Sequence, residues 1–337
     1  MPDLSLLGAD SLGVWTRSSA LSLLRAGEID VLVRTGVWQV LWRGVYMDGG
    51  FDPTPEQRAI AAVLAAGGAG QPFPVGAPDP ETGRRRVRLR AAAWGRTAAR
   101  VWGFPLIDDD DPATGAAEHV LDHVAVDRPL ARQSFADRIL TPHEVPLGRR
   151  DLVRRPSGLW ISSPLRTLTA CSGLLTHEAL VCAIDFALHH ELVSLVDLET
   201  AAAGRLGRPG APALRAAVAV ADGRAESPAE TLTRLLLLPV LPDLEPQVEL
   251  YDEGMRLIAR FDLGDRRVRL GVEADGKRNH AGGQMVAKDR RRDRSTGRFG
   301  WTTERVTWFE LRRQQAALVR RVVEVHAGLA AAQPPAA

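Results

Sequence analysis

Cysteine is almost missing from this chain. Its 337 residues include only Cys171 and Cys182, and no CxxC or CxxH spacing exists. Neither a zinc site nor a disulfide framework is supported, so two reduced, structural thiols are expected. No apolar run reaches the length of a membrane-spanning helix. The first residues lack the basic segment and apolar core of an export signal, so a cytoplasmic protein without membrane contact is the expectation. Net charge is scarce too: the formal value is only +2, and no field of the whole molecule argues for a polyanionic partner. Ser162 and Ser163 have no nucleophile-elbow glycines around them, which excludes a hydrolase triad there. The aspartates at 108–111 lack the spaced oxygens and glycine of a calcium loop.

What the chain does have is local. Its length suffices for two or three domains with their own cores. Positive charge gathers in Arg84-Arg85-Arg86-Val87-Arg88-Leu89-Arg90 and in the run from Lys288 to Arg294; each is either a solvated surface or a nucleic-acid contact. Carboxylates gather between Met255 and His280. There MRLIARFDL, a GDRR turn and VRLGVEADGKRNH read as a hairpin. Alternation assigns Leu257, Ala259, Phe261 and Leu263 to one face, matched by Val268, Leu270, Val272 and Ala274 on the second strand. Asp262, Glu273 and Asp275 then share the opposite face with Gly271. Carboxylates gathered on one side of a sheet repel unless a cation sits between them, and a hard divalent ion with oxygen ligands answers that need. Otherwise alternating charge on a strand is simply a solvated face. The basic run that follows suits an anionic substrate bridging metal and guanidinium groups.

The series Glu230, Asp262, Glu273-Ala274-Asp275-Gly276, His280, the KDRRRD run at 288–293, Gly300-Trp301 and Arg305-Val306-Thr307-Trp308 resembles the C-terminal domain of a widespread actinobacterial group. That group is similar to very-short-patch-repair endonucleases and to the PD-(D/E)XK, restriction-endonuclease-like nucleases. The resemblance implies a mixed sheet flanked by helices, DNA as substrate, and Asp262 and Glu273 as ligands of Mg²⁺ or Mn²⁺, with Glu230 contributed from the preceding helix. Asp275 stands where the superfamily motif has lysine, and Lys277 is the candidate replacement. On that reading Asp262, Glu273, Asp275, Lys277 and His280 form the catalytic set, with His280 as a proton carrier. Lys288, Arg290, Arg291 and Arg294 would clamp phosphates without reading sequence. Glu230 also has a plain structural reading, because Ser227-Pro228-Ala229-Glu230 is a capping box with proline in its favoured place. Trp301 and Trp308 are either base-stacking or core residues.

Upstream, two short helical patterns at 19–26 and 29–34 are separated by Gly27. Gly36 follows as a C-terminal cap, and then a strand pair from Trp38 to Met47 turns at Arg43-Gly44. Helix, turn, helix and hairpin describe a winged helix, suited either to a DNA groove or to a partner protein. Arg43-Gly44-Val45-Tyr46 resembles the turn of AbiEi-type antitoxins, a likeness confined to residues 18–50. The second helix carries Glu28, Asp30 and only Arg34.

Thr54-Pro55-Glu56-Gln57 starts a helix, residues 70–83 form a proline-bearing loop, and Ala91 to Trp102 reads as an apolar helix ended by Gly103. His119–Val126 and Leu159–Ser162 read as strands. A helix runs from Ser163-Pro164 to about Ser172, and a longer one from His177 to Glu191 buries Leu180, Val181, Ile184, Ala187 and Leu188. Pro164-Leu165-Arg166-Thr167-Leu168 is similar to a motif in the connecting region of the same actinobacterial group, and 204–212 reads as a linker.

The expectation is a multi-domain α/β chain. It comprises a winged helix at 1–52, a mixed α/β connecting domain at 53–212, a restriction-endonuclease-like domain at 213–330 and a disordered tail at 331–337. Two functions fit: a metal-dependent DNA endonuclease of the very-short-patch-repair type, or a non-catalytic DNA-binding regulator or AbiEi-like antitoxin with a degenerate nuclease domain.

Overall fold

The computed structural model describes residues 7–8, 11–68, 73–75, 86–88, 90–109, 120–145, 149–205, 207–275 and 295–332. The protein is a mixed α/β, multi-domain chain. It divides into two compact units, Met1–Leu180 with Val193–Arg215, and Val181–Leu192 with Ala216–Ala337. No helix among the described residues is long and apolar enough to cross a membrane.

The first unit opens with β1 (Val14–Thr16), α1 (Arg17–Leu21), α2 (Ala26–Arg34), β2 (Trp38–Trp42) and β3 (Val45–Asp48), the strands lying in the order β1-β3-β2. Two helices and a hairpin follow one another as the sequence suggests, but Gly27 falls inside α2 instead of between the helices. Gly36 and Gly44 both take φ of +74°, the left-handed backbone that their turns require and that glycine adopts without penalty. Trp15, Ile29, Trp38 and Tyr46 close a small core.

The second core of this unit gathers Leu41, Trp42 and Met47 around α3 (Pro55–Ala65) and a larger sheet. α3 begins at the expected capping box: Gln57 N donates to Thr54 Oγ1 at 3.2 Å and Thr54 N to Gln57 Oε1 at 2.9 Å. A two-stranded pair, β4 (Phe73–Val75) with β5 (Arg86–Arg88), lies within segments read as loop and basic run. The larger sheet has β6 (Ala91–Ala93), β7 (Val120–Val126), β8 (Gln133–Phe135), β9 (Arg138–Glu144), β10 (Leu152–Arg154) and β11 (Trp160–Ser162) in the order β10-β11-β6-β7-β9-β8. Around it run α4 (Gly95–Trp102), α5 (Pro164–Cys171), the start of α6 (His177–His189), α7 (Leu195–Ala203) and most of α8 (Ala211–Val218).

The helix expected over Ala91–Trp102 is therefore split. Ala91–Ala93 pairs with β7 and β11 in the sheet interior, where all three alanines are buried, and tertiary pairing overrides alanine's helix preference. Gly95, with φ of +50°, turns the chain into α4. The acidic loop is structural where described. Asp108 accepts from Thr176 N at 2.9 Å and Thr176 Oγ1 at 2.8 Å, while Asp109 pairs with Arg96 at 2.7 Å and Arg100 at 2.9 Å. The expected linker is shorter than its pattern, since Ala211 and Pro212 already belong to α8.

The second unit carries the rest of α6, α9 (Pro228–Leu237), β12 (Glu245–Tyr251), β13 (Leu257–Asp265), β14 (Leu270–Asp275), β15 (Thr302–Thr307), α10 (Trp308–Arg313) and α11 (Gln315–Ala331). The strands lie in the order β12-β13-β14-β15, antiparallel except for β14–β15. The terminal helical stretch breaks at Gln314, whose φ of −136° is not helical. α11 takes in Ala331, and the remainder of the expected tail lies, from residue 333, outside the described residues. One buried knot ties α6 to α9. Asp185, 1% exposed, accepts from Asp222 N at 2.7 Å, Thr231 Oγ1 at 2.8 Å and Arg234 Nη2 at 2.7 Å, and Arg234 donates its other arm to Val220 O at 2.6 Å. Cys171 and Cys182 are both free thiols and buried, and burial pushes the Cys171 thiol up to about 12.

Candidate functional site

The carboxylates singled out in the sequence lie on the sheet of the second unit and at the start of α9. β13 and β14 form the expected hairpin. Asp265 organises the turn by accepting from Arg267 N at 2.8 Å and Val268 N at 3.3 Å. The β13–β14 pairing is Asp265 with Leu270, Gly264 with Gly271 and Leu263 with Val272. One step further, the Asp262 side chain takes over: its Oδ2 accepts from Ala274 N at 2.7 Å. A carboxylate in the place of a backbone carbonyl holds the strands together and sets Asp262 beside Glu273.

The backbone is distorted at the same level on the other side of β13. Val248 pairs with Phe261 and Pro246 with Leu263, whereas Gln247, between them, takes a left-handed φ of +56°. Such strain in a non-glycine residue is often found beside functional groups. Gln247 Nε2 donates to Glu230 Oε2 at 3.0 Å, which also accepts from Glu226 N at 2.9 Å, while Glu230 Oε1 accepts from Ser227 Oγ at 2.8 Å. Both oxygens of Glu230 are thus engaged in capping α9 and in holding Gln247, so its contacts favour the capping role over a metal one.

The strict alternation expected for the hairpin needs correction. A Cβ on Gly271 would sit 2.2 Å from the Phe261 ring, and a Cβ on Gly264 would sit 3.0 Å from Val248 Cβ. Phe261 and Gly264, three residues apart, therefore face the same side, which a two-residue repeat forbids. The Phe261 ring, stacked on Trp301 at 4.9 Å, lies over the face of β14 that carries Gly271, the face assigned to the carboxylates. Trp301 is accordingly a core residue, 9% exposed.

Glu273 follows two residues later on that face, its side chain 13% exposed and 3.7 Å from Arg305 Nε. Arg305 is its register partner on β15, a cation whose role no local sequence signal announces. Asp275, half-buried, ends β14 opposite Thr307. Lys277, His280, Lys288, Arg290, Arg291 and Arg294 lie outside the described residues.

Among the described residues no group of three or more histidines, cysteines or acidic residues could hold a metal. Magnesium, however, is commonly held by one or two carboxylates plus the phosphates of its substrate. Asp262 and Glu273 are two such carboxylates on neighbouring strands, a donor type that suits an ion completed by substrate and not a closed protein cage.

At the N-terminus, α2 offers little to phosphate. Asp30 is paired with Arg17 at 3.0 Å, and Leu21, Leu23, Val31 and Val37 are exposed around the two helices.

No family model matches the chain. It is 27% identical over 296 residues to uncharacterized proteins from two strains of Mycobacterium tuberculosis, a stretch covering 88% of this chain and 94% of each of theirs.

Proposed function

We propose that this chain is a metal-dependent DNA endonuclease of the very-short-patch-repair type. The observation that carries this reading is the Asp262 side chain bridging to Ala274 N, because it fixes one carboxylate of the candidate pair beside the other on neighbouring strands. Asp262 and Glu273 would hold Mg²⁺ or Mn²⁺, and the ion would supply an activated water and charge neutralisation for phosphodiester hydrolysis. Gln247, anchored by Glu230, keeps the strained backbone opposite Asp262 in place. Arg305 lies 3.7 Å from Glu273 and can orient that carboxylate or meet a substrate phosphate. The basic residues Lys288, Arg290, Arg291 and Arg294 belong to this proposal as phosphate contacts, as do Lys277 as the stabiliser of developing charge and His280 as a proton carrier. A cytoplasmic location is part of the same reading.

A second reading, a DNA-binding regulator or AbiEi-like antitoxin with a degenerate nuclease domain, is favoured by Asp275 in the position where the motif has lysine. One assay separates the two. Purified full-length protein with Mg²⁺ or Mn²⁺ is offered supercoiled, linear, mismatched and single-stranded DNA, alongside Glu273→Gln and Asp262→Asn. Cleavage is expected from wild type only. The variants should fall by more than the ~10–100-fold that losing an outer partner of a metal ligand costs. Intact DNA in every lane would remove the enzyme and leave the regulator, to be tested by footprinting on its own promoter.

A further inference from the structure

The first unit contains a cavity of about 1080 Å³ whose wall includes Arg150, Arg166, Arg205, Arg208, Asp151 and Trp94. Four arginines and one aspartate thus line it. Arg166 lies over the Trp94 ring, its Cζ 4.8 Å from the centroid, and its Nε is 3.7 Å from Asp151 Oδ1, beyond hydrogen-bond reach. Arg205 spends one arm on Pro209 O at 3.1 Å. The Nε atoms of both Arg166 and Arg205 are buried without a hydrogen-bond acceptor among the described residues.

This arrangement is costly in the protein as it stands. Burial first, and then the charges of Arg205 and Arg208, hold the Arg166 guanidinium below the usual arginine range; burial and Arg208 do the same to Arg205. Buried donors normally find acceptors, and like charges are not normally gathered around a hollow without a counter-charge to hold. The residues come from α5, from the loop after α7 and from the turn before β10, so no single helix end or charged run produces the cluster.

We propose that this cavity binds an organic polyphosphate of nucleotide size. The volume lies at the upper end of that of small-molecule sites. Guanidinium forks match phosphate oxygens, and four arginines against one aspartate leave an excess positive charge of the size that a di- or triphosphate carries. Leu165, Ala170 and Leu174 on the same wall offer apolar surface to the organic body of the ligand. The site uses none of the residues invoked for DNA cleavage and belongs to the first unit, so it stands or falls separately from that reading.

The test is calorimetric titration and thermal melting of the full chain, without added metal, using inorganic pyrophosphate, ATP, GTP and a short DNA duplex as probes. Pyrophosphate and at least one nucleotide should bind and raise the melting temperature. Arg166→Gln and Arg205→Gln should each weaken that binding at least tenfold, while Arg313→Gln, an exposed change in the second unit, should not. Without ligand, the two cavity variants should melt no lower than wild type. Any of three results would overturn the proposal: no binding of pyrophosphate or either nucleotide at millimolar concentration, equal binding by the variants, or cavity variants that melt several degrees lower and so show the arginines to be structural. Loss of duplex binding with nucleotide binding intact would also overturn it, and would assign the arginines to a nucleic-acid surface.

Discussion

Two regions of this chain hold arginine on opposite terms. In the second unit Arg234 is held by Asp185 at 2.7 Å and by Val220 O at 2.6 Å, and Asp185 in turn has three donors around it. In the first unit Arg166 and Arg205 line a cavity with buried Nε atoms that find no acceptor among the described residues. A charge bonded directly to a buried carboxylate within the protein serves the fold. A charge that the fold leaves unmet, at a cost, is better explained by a ligand. The same substitution chemistry should therefore act with opposite signs in the two places.

The largest effect is expected at the matched charge. Asp185→Ala removes three acceptor contacts at once and strands the Arg234 guanidinium, which is 6% exposed. Breaking a buried pair from one side typically costs ~3–5 kcal/mol, and urea unfolding of the full chain should show a loss of that order. A change below 1 kcal/mol would mean that the knot is not holding α6 to α9 and would end the contrast.

A second effect belongs to the wall of the cavity. His143 lines it and its Nε2 lies 2.8 Å from Nδ1 of His123. Burial, followed by the charges of His143, Arg96 and Arg100, lowers the His123 pKa from 6.5 to about 3. Because the folded value lies below the unfolded one, the unfolded chain binds the extra proton first. The neutral imidazole contributes its stability above pH 6.5, and that contribution declines as pH falls from 6.5 towards 3. At pH 5 the loss is about 2 kcal/mol. Melting curves at pH 7.5 and pH 5, for wild type and His123→Gln, should show a steeper acid decline in wild type; parallel declines would place the acid sensitivity elsewhere.

The two regions also differ in how far the sequence announces them. The hairpin that carries Asp262, Glu273 and Asp275 was legible because alternation and a Gly-Asp turn are local signals. The Thr54 and Ser163 caps were legible because capping is a local exchange of hydrogen bonds. What alternation could not reveal was the slip between Phe261 and Gly264, since it is imposed by the ring over Gly271 and by the neighbouring strand at Gln247.

β6 was misread because three alanines carry a helix preference that burial between two strands overrides. β9 was missed because Pro142 and polar residues interrupt its pattern. The cavity was illegible for a different reason: Trp94, Arg150, Arg166 and Arg208 belong to separate elements spread over more than a hundred positions, and only the folded chain brings them to one wall. The conspicuous arginine run at 84–90, by contrast, lies mostly outside the described side chains.

The smallest effect distinguishes the two regions most sharply. Arg208 is exposed and makes no side-chain hydrogen bond among the described residues, yet its charge bears on both Arg166 and Arg205. Arg208→Gln removes repulsion and no hydrogen bond, so the unliganded protein should gain a few tenths of a kcal/mol, the scale of one like-charge pair near solvent. The gain should shrink as salt rises from 20 mM to 1 M, because screening already relieves the repulsion between exposed charges. In the Arg208→Gln background, Arg205→Gln should then gain less than it does in wild type, since the second removal has less repulsion left to relieve. A loss of stability at low salt from Arg208→Gln alone would show that the cavity arginines support one another through the fold, and the difference in sign between the two regions would be gone.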